Sequence, residues 1–445
     1  MTFRGKLTGL RARHCARMAV AASVLAGLGG CMQGTPFPAG RSSFSPTAMN
    51  LVAGHPGTTV QSSVIIADLA ARPTALQGAG PYARVAQAVL GDAKGTAKAE
   101  LRMKRLTATA QSKNWLPEIG PSLSLTRLGD LATQILVEQV LWDNGAKRAE
   151  RDYSAADVEV AAVSLSSEMN DTVADGLKAY ITALKSREQA AVAARSAAKI
   201  GDYNHIMRQR VEGGLSDQSE ARILAQKLTE MQAVAQADRD SEQTALAQLR
   251  SMTGQNLEDL AALGSFALPD PLPEALSVVE ARAEAGRATA EAEMARAGYL
   301  PSLSAQASTS GGRPDFGFSA GLDQMLGFGT ADAMAALEAS KEAAAARVEK
   351  ARQDDAQQII SLQAKLVALK AKAARDGAVV EQTGAGLDMF TEQYRMGRRT
   401  LMELVNMYES YADMAHAQAG LKYDIALIEL EIARQHGILV EGRSI

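Results

Sequence analysis

The sequence predicts a mainly α-helical chain with a small β part, in which long antiparallel helical hairpins are interrupted by two β-hairpins and the whole pattern occurs twice. Three observations carry this reading. Alanine-rich stretches run for many turns without proline, the longest from Ala146 to about Val211. Between the helical stretches, the periodicity changes within Trp115–Gly145. There Ile119, Pro121, Leu123 and Leu125 alternate with Gly120, Ser122, Ser124 and Thr126, the period-two pattern of a strand with one apolar face. The third observation is an echo. Tyr299-Leu300-Pro301-Ser302-Leu303-Ser304 repeats the features of Trp115-Leu116-Pro117 and Pro121-Ser122-Leu123-Ser124, and an offset this long implies duplication of a whole half.

In chain order, a helical pattern covers Ser63 to Ala71 and resumes at Pro81, a residue suited to a first helical turn. It is expected to continue through LRMKRLTATAQSKN to the first strand. After that strand come a turn at Leu128-Gly129-Asp130 and a second strand from Ala132 to Leu141. The helix from Ala146 to Val211 would be roughly 100 Å long at ~1.5 Å per residue. GGLSD then breaks the pattern, a helix runs from Asp217 to Thr253, and a proline-bearing crossover occupies 257–276. In the second half, strands are expected at Leu300–Ser310 and Phe316–Leu326 around a GGRPD turn. A long helix follows from Ala331 to Tyr394, then a break at Met396-Gly397-Arg398-Arg399 and a last helix from Thr400 to His436. The repeats are placed at 62–256 and 277–445. Aromatic residues make up only 4% of the chain, which suits close-packed helices with alanine at the contacts.

The first thirty residues read as a secretory signal, with Arg4, Lys6, Arg11, Arg13 and Arg17 ahead of an apolar Met18–Leu28. Leu28-Gly29-Gly30-Cys31 resembles a bacterial lipobox, which implies cleavage before Cys31 and acylation of its thiol. Residues 31–61, rich in Gly, Ser, Pro and Thr, read as a tether. The other cysteine, Cys15, lies in the signal, so no internal disulfide is expected. No apolar run reaches the ~18 residues of a transmembrane helix.

The duplication, the LP-x-LS strand openings, the LWDNG exit of the first hairpin, and GGLSDQSEA and YRMGRRTLMELVN at the helix turns together resemble the TolC-family outer-membrane factors. The resemblance covers residues 62–440. It implies a homotrimer with a twelve-stranded β-barrel and an α-helical barrel, tethered to outer-membrane lipid with its tunnel in the periplasm. The partners implied are a periplasmic adaptor (membrane fusion protein) and an inner-membrane ABC or proton-driven pump. The physics agrees, because four strands cannot close a barrel alone and open edges are not tolerated in lipid.

Site residues follow from the same alignment. Tyr394 and Arg399 would latch the entrance against Ser219 and Glu220 at the other turn, or else be solvated helix-end residues. Glu403 and Asn406 lie one turn apart on one helix face and match a constriction. With one carboxylate instead of two, a single ring favouring cations is expected. The turn residues Gly214, Leu215, Ser216, Gly397 and Arg398 match the places where an adaptor docks, the glycines serving the turn geometry itself. Trp115, Trp142, Tyr299 and Phe328 gather at the hairpin bases, either as a membrane-interface girdle or as plugs of the helix–strand junctions.

The five histidines are scattered, and no HExxH, P-loop or GxGxxG after a strand is present. No enzyme activity, metal or cofactor is expected. Charges of both signs are interspersed without a basic stripe, so no nucleic acid is expected either. Two functions remain. One is the passive exit duct of a tripartite exporter, for type I protein secretion or for multidrug or metal efflux. The other is a lipid-anchored periplasmic coiled-coil scaffold without a pore.

Overall fold

A computed structural model describes residues 63–444 apart from 77, 79, 93–94, 128–129, 258–261 and 311–312. The signal segment, Cys31 and the tether lie outside the described residues. The elements are α1 (Val64–Ala71), α2 (Pro81–Asp92), α3 (Thr96–Gln111), β1 (Glu118–Arg127), β2 (Asp130–Trp142), α4 (Ala146–Glu212) and α5 (Gln218–Thr253). They continue as α6 (Leu276–Ala297), β3 (Pro301–Ser310), β4 (Arg313–Leu322), α7 (Thr330–Arg395) and α8 (Leu401–Gln435). Helix, two strands, a very long helix and a shorter helix thus occur twice.

The four strands form one antiparallel sheet in the order β1-β2-β3-β4. The helices are layered in the same order. α4 packs against α3, α5, α6 and α8, and α7 packs against α6 and α8. Lys104 of α3 pairs with Asp157 near the start of α4, whereas Arg187 farther along α4 pairs with Glu242 of α5. α3 and α5 therefore share one edge of the layer, above β1, and α7 forms the other, beyond β4.

Small residues make this layering possible. α4 buries Ala156, Ala162, Ala174, Ala183 and Ala193 on a helix that is packed along its whole length. The edge helix α7 is different. Of its 66 residues only Ala344, Val348 and Leu362 are buried, and Ile360 and Val367 are 66% and 69% exposed. Apolar side chains are thus left open along this edge of the layer.

Midway along α4, a belt of larger residues closes the layer. Tyr82 of α2 lies against Phe266 and, edge-on, against Tyr180, whose hydroxyl donates to the Ala262 carbonyl at 2.8 Å. Gly264 leaves room for the Tyr82 ring, since a Cβ there would come within 2.7 Å of it. Buried Arg72 donates to the carbonyls of His436 (2.8 Å) and Glu274 (2.9 Å) and to Asp68, tying α1, the crossover and the C-terminal segment together.

Three expectations are corrected. The helix from Pro81 is not continuous but stops at Asp92 and restarts at Thr96, where Gly91 and Gly95 weaken the helical backbone. β1 and β2 extend beyond their expected ends, Arg127 pairing with Asp130. β4 ends at Leu322 rather than Leu326, because its last partner is Pro301 and no strand backbone remains beyond it to pair with.

Candidate functional site

Two places carry the chemistry: the sheet, and the turns at the far end of the long helices. The LWDNG stretch explains how the first hairpin hands over to α4. Both Asp143 carboxylate oxygens accept, from Gly145 N at 3.0 Å and Lys147 N at 2.6 Å, so they satisfy amides that the first helical turn leaves free. Asn144 and Gly145 adopt left-handed backbone, and the Asn144 amide donates to the Pro301 carbonyl on β3. The second hairpin is tied less closely. Gln324 N donates to the Gly298 carbonyl, and Gly327 N to the Thr330 hydroxyl.

The register sorts the sheet into two faces. Ile119, Val137, Ala307 and Phe316 form one row across all four strands, and Ala305 and Phe318 lie opposite each other in the next. Ile119, Phe316 and Phe318 are 72%, 77% and 78% exposed. Gln139, a polar member of this face, turns its amide onto the Trp115 and Val140 carbonyls. The other face carries Glu118, Glu138, Ser304, Gln306, Ser308, Asp315 and Ser319, with Leu136 and Val140 among its apolar members. There the Ser304 hydroxyl lies 3.1 Å from a Glu138 oxygen and 2.7 Å from the Ser319 hydroxyl. A register shift between Val140 and Trp142 brings Trp142 opposite Leu303 of the apolar face, which is how a bulge re-aims a side chain.

Of the four hairpin-base aromatics, Trp115, Trp142 and Phe328 are exposed and Tyr299 is half-buried. Phe316 and Phe318 were not among the expected site residues. The alternation in DFGFSAGL is the signal that could have found them.

At the other end the two turns are equivalent. Leu215 N donates to the Arg210 carbonyl and Arg398 N to the Gln393 carbonyl. Gly214 N and Gly397 N donate to Val211 and Tyr394. These are paired six-to-one and five-to-two bonds that close a helix on a left-handed residue, and Gly214 and Gly397 have φ of 72° and 71°. Asp217 then caps α5, and Thr400 caps α8. Beneath the turns, Ile200, Met207, Leu224, Leu401, Leu404 and Val405 form a local core against which Tyr394 packs. Leu215 and Arg398 are exposed at the turn surface, and Ser216 accepts from Arg210 Nε at 3.1 Å.

A cleft of about 780 Å³ lies between the turns, lined by Glu220, Tyr394, Arg398, Arg399 and Glu403 among others. The structure therefore brings most of the expected latch together; Ser219 is exposed beside it, its N–H bonded to Asp217. The pairing within the protomer differs from expectation. Arg399 donates to Glu403 at 3.1 Å and to Gln393 at 3.1 Å, with its guanidinium over the Phe390 ring, and not to Glu220. The reason is local: Glu403 lies one helical turn away on the same face, so it meets Arg399 without help from the other hairpin.

Glu403 also completes a capping box. Its second oxygen accepts from Thr400 N (2.8 Å) and the Thr400 hydroxyl (3.1 Å), while Glu403 N donates back to that hydroxyl. The Thr400 amide, followed by Arg399 and the Thr400 hydroxyl, holds this carboxyl below its ordinary range. Asn406 is exposed on the same side of α8. Gln393 and Phe390, which set the Arg399 position, were not anticipated, since they belong to the last two turns of α7, across the break from Arg399.

Among the described residues there is no cluster that could hold a metal ion, and no helix is long and apolar enough to cross a membrane. No family model and no curated protein sequence matches the chain. Solved structures do. The outer membrane protein VceC from Vibrio cholerae aligns over 80% of this chain and 96% of its own, with a TM-score of 0.69 at 14% identity. The CmeC outer membrane channel of Campylobacter jejuni covers 84% and 92% (TM-score 0.65, 13% identity). The open-state MtrE outer membrane channel of Neisseria gonorrhoeae covers 81% and 90% (TM-score 0.66, 15% identity). The fold is thus that of the outer-membrane channels. More particularly it is the TolC-like outer-membrane-factor fold expected from the sequence motifs, and at these identities the likeness is one of architecture.

Proposed function

We propose that the chain is an outer-membrane channel, the passive exit duct of a tripartite export system, and not an enzyme. The observation that carries this reading is the four-stranded sheet with one apolar and one polar face and two unpaired edges, above a helical layer of the same order. In an up-and-down sheet of four strands, β4 runs opposite to β1. The β1 of a second copy therefore fits antiparallel beside β4 without changing the pattern. Three copies joined this way make the twelve strands that the TolC resemblance implies, with the apolar face to lipid and the polar face to the lumen. The same rotation sets α7 of one copy against α3 and α5 of the next, where the open apolar residues are. The similar channels named above support the outer-membrane location.

In this assembly Cys31 carries the lipid anchor, and Leu215, Ser216 and Arg398 with their turn glycines meet the periplasmic adaptor. The pump behind the adaptor, ABC-type for secretion or proton-driven for efflux, supplies the energy. The scaffold alternative gives no role to Ile119, Phe316 and Phe318, which would face water. The experiment is single-channel recording of the purified trimer in planar bilayers. Discrete conductance supports the duct, whereas a complex of correct size that never conducts would remove it. Recovery of a Cys31→Ser variant wholly in the soluble periplasmic fraction would favour the scaffold.

A further inference from the structure

The polar face of the sheet carries Glu118, Glu138 and Asp315. Glu118 is paired with Lys147 and Asp315 lies toward the β3–β4 turn, which leaves Glu138 in the middle of the face. Resting on the duct reading, we propose that Glu138, rather than Glu403, sets the ion preference of the pore, and that it favours hydrated cations. Glu138 lies in the middle of one register row, with Glu118 on β1 and Gln306 on β3 as its neighbours. Its contacts are uncharged. One carboxylate oxygen meets the Ser304 hydroxyl at 3.1 Å and the Gln306 amide at 3.5 Å, and Ser319 joins both of these side chains from β4. The network orients the carboxylate on the polar face without cancelling its charge. Among the described residues the nearby cation, Lys147, lies 3.6 Å from Glu118 and pairs with that side chain instead.

At the other end the position is reversed. Both oxygens of Glu403 are engaged, one by the Arg399 guanidinium and one by the cap of α8. An approaching ion meets an ion pair there, not a free carboxylate. The charge that a single-ring constriction would supply is compensated within the turn.

The reach of Glu138 can be judged from the barrel. Twelve strands ~4.8 Å apart and tilted by ~40° give a diameter of roughly 24 Å, so inward carboxylates lie ~8–10 Å from the axis. That is about the Debye length at 0.1 M salt and about three times the length at 1 M. The preference should therefore be clear in dilute salt and fade in concentrated salt.

The test is the reversal potential of purified trimers in planar bilayers under a KCl gradient, at a low and a high mean concentration. Wild-type protein should pass K⁺ over Cl⁻ by a several-fold ratio in dilute salt, falling toward one in concentrated salt. Glu138→Gln, which keeps the hydrogen-bonding groups, should bring the dilute-salt ratio at least halfway to one. Gln306→Glu should raise it, and the double variant Arg399→Gln/Glu403→Gln, which removes the ion pair as a unit, should leave it within about a third of wild type. An unchanged ratio in Glu138→Gln, or loss of the preference in the Arg399→Gln/Glu403→Gln double variant, overturns the assignment while leaving the duct intact. Absence of any conductance in wild type and in Tyr394→Phe overturns the duct and this inference together.

Discussion

Two adjacent residues of β4 should respond oppositely to the same substitution. Phe318 is the sixth of ten residues in β4 and belongs to the apolar face, while Ser319 faces the polar network around Glu138. A ten-residue strand rising ~3.3 Å per residue and tilted by ~45° spans roughly 23 Å, close to the ~25 Å apolar band of outer-membrane barrels, so Phe318 falls near the midplane. Lysine at that depth on the lipid face costs about 2–4 kcal/mol. The threefold assembly carries the cost three times, on the order of 6–12 kcal/mol per trimer if the sites act independently. Ser319→Lys instead places its ammonium in the lumen near a carboxylate, with an effect expected within about 0.5 kcal/mol. The assay is the amount of trimer resistant to detergent at room temperature in outer-membrane fractions, compared at equal expression. Phe318→Lys should be nearly absent and Ser319→Lys close to wild type. Equal accumulation of the two variants would refute the sidedness of the sheet, and with it the reading of which face meets lipid.

Two further outcomes are expected. Arg72→Met keeps the stem but removes the donors to the buried carbonyls of His436 and Glu274; it should destabilise the belt by about 3–5 kcal/mol. Hydrogen exchange at the Ala75 and Leu439 amides, which bond the Ile438 carbonyl and the Asn170 side chain, should then rise at least a hundredfold, and protection within threefold of wild type would contradict this role. The cap of α8 should depend on pH in a fixed direction. The folded-state carboxyl of Glu403 is held below the ordinary glutamate range, so its contribution is present above that range and is lost as pH falls through the lower, folded value. Exchange of the Glu403 and Leu404 amides should therefore be flat from neutral pH to about the ordinary carboxylate range, after correction for intrinsic rates, and accelerate only in stronger acid. Glu403→Gln should abolish that acid-dependent step.

What could be read from the sequence was whatever a local rule decides. Asp143, Asn144 and Gly145 announce a turn and a cap, and they form both. Gly214 and Gly397 stand where a helix must end on a left-handed residue. The alternation from Ile119 onward identifies a strand because period two has no other simple origin. Misreadings arose where a distant partner decides. The apolar Leu322, Met325 and Leu326 suggest a longer β4, but a strand lasts only as long as its neighbour, and the neighbour begins at Pro301. For Arg399 the sequence left open a bond to Ser219 or Glu220 at the other turn and a solvated helix end; within the protomer Gln393, Phe390 and Glu403 of its own hairpin reach it. The setting of Glu138 could not be seen at all, since it depends on the register of β2 against β3.

The two hairpin exits have unequal stiffness. The first is bound three times over, by both Asp143 oxygens and by Asn144 to the neighbouring strand. The second, 323–329, is tied to the preceding helix–strand junction by Gln324 N on the Gly298 carbonyl. Its other bonds run locally from Gly327 and Gly329 to the first turn of α7, and Met325 and Phe328 stand wholly open to their surroundings. A torque on α4 is therefore delivered directly to the sheet, whereas one on α7 reaches it by way of α6, to which Glu338 and Lys341 are ion-paired, and so through β3. In the proposed duct, a widening of the helical tunnel would then begin at the layer edge formed by α7, where the helix is least buried.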